Sequence, residues 1–173
     1  MKNFSELPPS TRDLMMKIGV ISDTHLKEAG LEFRKMIESH FEDVEMIFHA
    51  GDFVDRSIAD YLSSRKELIA VCGNMDCRDI QKAFPQKRIV ELEGFKIGLI
   101  HGGGPPFGIE SRIRGEFDKV DVIVYGHTHA PANHQVKGIT FFNPGSLTRS
   151  FIHRATLGIL HLGEKIEGEI IKI

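Results

Sequence analysis

The chain has 173 residues, enough for one substantial core and too few for two ordinary domains. Its 22 lysines and arginines stand against 24 aspartates and glutamates, so a formal charge of -2 offers no general field to nucleic acid or an anionic membrane. The longest apolar runs, such as Ile18 to Ile21 and Val120 to Tyr125, fall far short of the roughly 20 residues that span a bilayer.

Residues 1–16 carry Lys2, Glu6, Pro8, Pro9, Arg12 and Asp13 without a continuous apolar stretch, and read as an N-terminal extension ahead of a single domain over 17–173. Lys17 to Ser22 reads as a buried strand. Leu31 to Phe41 reads as a helix with Leu31, Met36, Ile37 and Phe41 near one face. A strand at Met46 to His49, a helix around Ile58 to Ser63 and a strand at Leu68 to Cys72 continue a βαβ rhythm, which predicts three parallel strands. From Lys87 the pattern changes: Arg88 to Leu92 and Phe95 to Ile100 flank Glu93-Gly94 as a hairpin. Ile109 to Phe117 suits a short helix and Val120 to Tyr125 a strand. After these, two antiparallel hairpins turn at Lys137-Gly138 and Gly163-Glu164. The sum is an α/β to α+β chain of two packed sheets with helices outside. Cys72 and Cys77 are the only cysteines, too few for a disulfide framework, and fit a reducing cytoplasm.

Five of the apolar runs end in a residue set that binds divalent metals: Asp23-Thr24-His25, Gly51-Asp52, Gly73-Asn74, His101 and Gly126-His127-Thr128-His129. In a largely parallel sheet such ends share one edge, so donors a hundred positions apart meet in one cleft. Mixed imidazole and oxygen donors suit manganese, iron, nickel, cobalt or zinc, whereas calcium and magnesium take nearly all oxygen. Asp23 and His25 lie two apart, as do His127 and His129; in an extended strand each pair faces one side. Asp52 has two carboxylate oxygens, enough to bridge two ions about 3.5 to 4 Å apart.

The order of these motifs resembles the calcineurin-like metallophosphoesterase family, whose pattern runs D-x-H, G-D-x-x-D, G-N-H-D, a lone His and G-H-x-H. The likeness spans the chain from Lys17 onward, and its length is similar to the small bacterial and archaeal phosphodiesterase branch. The resemblance implies a four-layer αββα sandwich of two mixed β-sheets flanked by helices. It also implies two metal sites, one of Asp23, His25, Asp52 and His129 and one of Asp52, Asn74, His101 and His127, with manganese first among the candidate ions and magnesium a further option. Asp55 and Asp76 match the pattern as residues that shape loops. Met75 occupies the position of the family's G-N-H-D histidine. Methionine delivers no proton, so substrates whose leaving oxygen departs without an acid are favoured.

The implied activity is hydrolysis of a small phosphodiester by a hydroxide shared between the metals, with Asp52 as bridge and Asn74 donating to the phosphoryl group. A phosphomonoesterase is the nearest alternative. A non-catalytic protein-binding scaffold, as in the retromer subunit that this fold resembles, is the other. His49 reads either as a donor to a ligand or as a satisfied core histidine. Gly102-Gly103-Gly104 reads as a tight turn, with phosphate contact at Gly103 the second reading. Asn143-Pro144-Gly145-Ser146 resembles the family's late loop, and Arg149 beyond it is a candidate for substrate phosphate. His40, His134, His153 and His161 read as surface or packing residues. The C-terminal hairpin offers an edge through which a homo-oligomer would pair.

Overall fold

A computed structural model describes residues 15–148 and 154–173. Arg149 and His153 lie outside the described residues, as does the N-terminal extension up to residue 14. Chain order runs β1 (Met16–Ile21), α1 (Leu31–His40), β2 (Met46–His49), α2 (Arg56–Arg65), β3 (Glu67–Ala70), α3 (Arg78–Ala83), β4 (Lys87–Leu92) and β5 (Phe95–Ile100). It continues with α4 (Ile109–Arg114), β6 (Val122–Val124), β7 (Ala132–Val136), β8 (Ile139–Asn143), β9 (Thr156–Leu162) and β10 (Ile166–Lys172). Met16 therefore already belongs to the first strand.

One sheet has the order β10-β9-β1-β2-β3 and the other β4-β5-β6-β8-β7. β1, β2 and β3 are parallel neighbours, as their βαβ rhythm predicts. The second sheet is less antiparallel than its sequence suggests, because β8 pairs parallel with β6, as β6 does with β5. The hairpin of β7 and β8 forms as expected. It is inserted by its second strand, so a parallel joint arises from the long connection that β7 occupies.

Period-2 alternation divides each central strand between two interfaces. Ile18, Val20, Met46, Phe48 and Ile69 face Ile97, Leu99, Val122, Val124 and Phe142 in the core between the sheets. Ile21, Ile47 and Ala70 look the other way onto Phe33, Ile37, Ile58 and Leu62 of α1 and α2. Ile123, Tyr125 and Phe141 cover the outer face of the second sheet with Ile109 and Ile113 of α4. The result is the four-layer αββα sandwich. Each fully buried Ile, Val or Phe in it contributes roughly 1.5–3 kcal/mol over exposure.

One position of a helix reading needs correction, and one helix was not anticipated. Ile37 and Phe41 are in the core with Met36 packed against it, as the α1 face predicts, and Phe33 joins them, but Leu31 at the first helical position is 68 % exposed. α3 had no sequence signal: it is six residues long and buries only Ile80, too few turns to show a period.

Candidate metal centre

The motif loops all leave the same edge of the two sheets. Asp23 and His25 follow β1, Asp52 follows β2, Asn74 follows β3, His101 follows β5, and His127 and His129 follow β6. The paired histidine and aspartate motifs are not extended, contrary to their sequence reading. Asp23, His25, Asp52, His127 and His129 all have positive φ, between 48 and 67°. A left-handed backbone costs a non-glycine residue on the order of 1–3 kcal/mol, and such conformations cluster at functional sites. Here they curl each loop back over the strand end.

Two glycines explain why the motifs pair a glycine with a donor. A Cβ on Gly73 would lie 2.1 Å from Asp52 Oδ1, and one on Gly126 would lie 1.9 Å from Ser22 Oγ and 2.7 Å from Asp23 Oδ2. Each makes room for the carboxylate of another motif. Gly126→Ala should therefore lower stability by about 1–3 kcal/mol through overpacking, read as a drop in denaturant midpoint. An unchanged midpoint would show that the loop relaxes freely.

The carboxylates are held from one side and open on the other. Asp23 Oδ2 accepts from Ser22 Oγ at 2.6 Å and from the His127 amide at 3.0 Å. Its Oδ1 is buried without a hydrogen bond and faces His129 Nε2 at 3.1 Å and His25 Nε2 at 3.7 Å. Asp52 Oδ1 accepts from the Met75 amide at 2.8 Å, while Oδ2 stands 3.3 Å from His101 Nε2 and 3.8 Å from His25 Nε2. Asp23, His25 and His129 thus form one donor group and Asp23, Asp52 and His101 a second. Asn74 Oδ1 approaches Nδ1 of His127 at 3.2 Å, and the His127 ring meets the His101 ring edge-on at 5.3 Å between centroids.

Backbone carbonyls decide which imidazole nitrogens remain as lone pairs. A carbonyl oxygen only accepts, so His101 Nδ1–H donates to Ala50 O at 2.7 Å and, in the neutral ring, Nε2 keeps its lone pair. Likewise His127 Nε2–H donates to Gly104 O at 2.8 Å, leaving Nδ1 as the lone pair beside Asn74. His101 Nε2 is buried without a hydrogen bond. Acceptor atoms therefore point at acceptor atoms, an arrangement that a divalent cation satisfies.

Charge within the cluster agrees. Burial works against the Asp23 carboxylate, yet the imidazoles of His129 and His25, the nearby His101 and the Ser22 hydroxyl outweigh it and hold its carboxyl well below the usual range. Burial likewise opposes ionisation of Asp52, and His101 with the Met75 amide brings its pKa down. For His101, burial favours the neutral ring but Asp52 and Asp23 raise its pKa overall. Asp23 raises that of His129. These nitrogens are placed to receive positive charge, from a proton or from a metal.

Surrounding residues fix the loops. Asp76 accepts from the amides of Gly73, Asp52 and Val54 at 2.7, 3.0 and 2.8 Å, and Asp55 caps α2 through Ser57 N at 2.9 Å, both as loop-shaping residues. His49 is the satisfied core histidine of its two readings. Its Nδ1 accepts from the Gly51 amide at 3.1 Å, its Nε2–H donates to Thr24 Oγ1 at 2.6 Å, and it stacks on Phe53. Burial pushes its pKa down to about 3 despite nearby Asp23, so it stays neutral and ties the first two motif loops together. Asn143 Nδ2 donates to Gly126 O and Thr128 Oγ1, each at 3.0 Å, and Ser146 Oγ donates to Asp23 O at 2.8 Å. Gly103 offers its carbonyl to Arg112 at 3.1 Å, in keeping with a turn. Sequence reasoning missed Ser22, Thr24 and Arg112. For Ser22 the signal was its place directly before Asp23; Arg112 had none, since its partners are all backbone.

A cleft of about 750 Å³ opens beside Asn74 and His101, lined further by Gln81, Phe84, Gln86 and the ion pair of Lys87 and Glu116 at 2.8 Å.

The four-layer sandwich gathers carboxylates and imidazoles on one strand edge, the donor set of a metal-dependent protein. Residues 16–165 match the family model of the calcineurin-like phosphoesterase superfamily domain, and the chain belongs to that superfamily. It is 38 % identical over 161 residues to a probable metallophosphoesterase of Methanocaldococcus jannaschii, covering 91 % of this chain and 82 % of the relative. Among solved structures it is similar to a novel archaeal phosphodiesterase, with a TM-score of 0.73 and 30 % identity over 91 % of this chain and all of the other (100 %). It shares its fold with vacuolar protein sorting 29 of Cryptosporidium parvum, with a TM-score of 0.69 and 20 % identity over 92 % of this chain and 98 % of the other.

Proposed function

We propose that this metallophosphoesterase is a phosphodiesterase with a binuclear metal centre, manganese being the first choice of ion. The observation that carries the reading is the convergence of lone-pair atoms from five loops: Asp23 Oδ1, Asp52 Oδ2, His101 Nε2, His127 Nδ1 and Asn74 Oδ1. Asp23, His25, Asp52 and His129 would hold one ion, and Asp52, Asn74, His101 and His127 the other. A pair of divalent ions supplies a water acidic enough to ionise near neutral pH and offsets the charge of the phosphoryl oxygens. That local charge suits a protein whose overall balance is -2.

The chain's own groups set the rest. Asp52 has its Oδ1 fixed by the Met75 amide, so Oδ2 keeps one direction toward both His25 and His101. The Asn74 side chain is exposed and lines the cleft, where its amide N–H would donate to a phosphoryl oxygen. Met75 is 59 % exposed on the same loop and has no proton to give a leaving group. Diesters with a stable leaving oxygen are therefore the favoured substrates. The adjoining cleft is of the size that takes a small organic substituent. Cys72 and Cys77 are both free thiols, in keeping with a cytoplasmic setting.

The test compares mono- and diesters of one nitrophenyl leaving group with added manganese. We expect the diester to turn over at least about tenfold faster in kcat/KM, a difference of about 1.4 kcal/mol. The reverse preference establishes a phosphomonoesterase. Stoichiometric metal without turnover of either favours a protein-binding scaffold, the use for which a fold alone gives no warrant.

A further inference from the structure

We propose that Arg112 is a positioning residue for His127, acting through the glycine-rich loop between His101 and α4. The proposal rests on the binuclear reading above. Arg112 is exposed on α4, and its guanidinium donates from Nη1 to Phe107 O at 2.9 Å and from Nη2 to Gly103 O at 3.1 Å and to Pro105 O. One planar fork thus gathers three carbonyls of a loop that contains Gly102, Gly104 and Gly108, all with positive φ. Such a loop has little of its own to define it: a run of glycines has the largest backbone freedom to lose, and Phe107 at its tip is 87 % exposed.

The carbonyl between the strapped ones, that of Gly104, is the acceptor for His127 Nε2–H at 2.8 Å. That bond selects the ring tautomer. With the proton held on Nε2, Nδ1 carries the lone pair and faces Asn74 Oδ1 at 3.2 Å. Without the bond the proton is free to move to Nδ1, and the nitrogen beside Asn74 becomes a donor unfit to bind a cation.

α4 is anchored so that the strap has a fixed base. Ile109 and Ile113 are buried on the second sheet, and Glu110 accepts from Tyr125 Oη at 2.7 Å, two residues ahead of His127. Gly102 lies so close to Ile109 that a Cβ would come within 2.8 Å of its Cδ1. Helix, loop and ligand therefore form one chain of contacts, with Arg112 as its link that is accessible to mutation.

Arginine rather than lysine is required, because an ammonium is a point donor that does not span three carbonyls in a plane. Outer partners of metal-binding histidines are worth about 10–100-fold in metal affinity.

The experiment titrates manganese into the chelator-stripped full chain by calorimetry, and records histidine tautomers by nitrogen NMR in the metal-free state. The wild type should take up two equivalents and show His127 protonated on Nε2. Arg112→Ala should weaken one equivalent about 10–100-fold, leave the other within about twofold, and give His127 as a tautomer mixture; Arg112→Lys should fall between. In a His127→Ala background, Arg112→Ala should add less than about twofold, since coupled residues are non-additive. Equal loss at both sites, an unchanged tautomer, or an undiminished effect in the His127→Ala background would overturn the proposal. Fewer than two equivalents in the wild type would instead refute the binuclear reading itself, before any substitution is made.

Discussion

Replacing Asp52 by asparagine should reduce kcat/KM on a nitrophenyl phosphodiester by about 10³-fold or more, a loss of about 4 kcal/mol in transition-state stabilisation. The amide retains an oxygen that can accept from the Met75 N–H, as Asp52 Oδ1 does at 2.8 Å. Its NH₂ then takes the place of Oδ2, opposite His101 Nε2 at 3.3 Å. That contact becomes a hydrogen bond between neutral groups, so the metal-free fold exchanges one favourable contact for another while the negative charge proposed for both metal sites disappears. The variant should fold with a near-native midpoint and bind manganese poorly. Turnover within tenfold of the wild type would remove Asp52 from the centre.

Stripping the metal is the second large effect. Dialysis against a chelator should abolish turnover and lower the melting temperature, and manganese should restore both. Metal at about 100 times its dissociation constant stabilises a folded protein by about 2.7 kcal/mol per site, which corresponds to about 5–10 °C for a chain of this size. The reason lies in the site's own repulsions. Asp23 Oδ1 and His101 Nε2 are buried without hydrogen bonds, and the buried Asp23 and Asp52 carboxylates lie in one donor group. Equal melting temperatures with and without manganese would mean that the cluster is satisfied by protons alone.

The donor set could be found in the sequence because parallel strands force their C-terminal ends to one edge, and a short apolar run followed by Asp, Asn or His is visible without coordinates. The family resemblance then supplied the layers. What could not be found follows equally from physics. The curled backbone at Asp23, His25, Asp52, His127 and His129 leaves no mark, since aspartate and histidine adopt left-handed and extended conformations alike when the surroundings demand it. The parallel joint of β8 on β6 depends on contacts between distant residues, with Ile123 opposite Phe141, while the local pattern reports only the β7–β8 turn. α3 is too short for a period, and Arg112 acts on carbonyls, which every residue carries.

Strand direction also determines what happens at the opposite rim. With Lys87 opposite Ile100 and Leu92 opposite Phe95, the Glu93-Gly94 turn lies at the end of β5 remote from His101. The turns at Lys137-Gly138 and Gly163-Glu164 fall on that same rim, because β8 runs parallel to β6 and β9 antiparallel to β1. Gly94 and Gly138 have positive φ and should be kept, whereas Glu93, Lys137 and Glu164 beside them are exposed and open to substitution. Fluorophores, affinity handles or grafted peptides placed there would be separated from the donors by the full length of the strands, so the molecule can be labelled or immobilised from behind with its cleft facing outward.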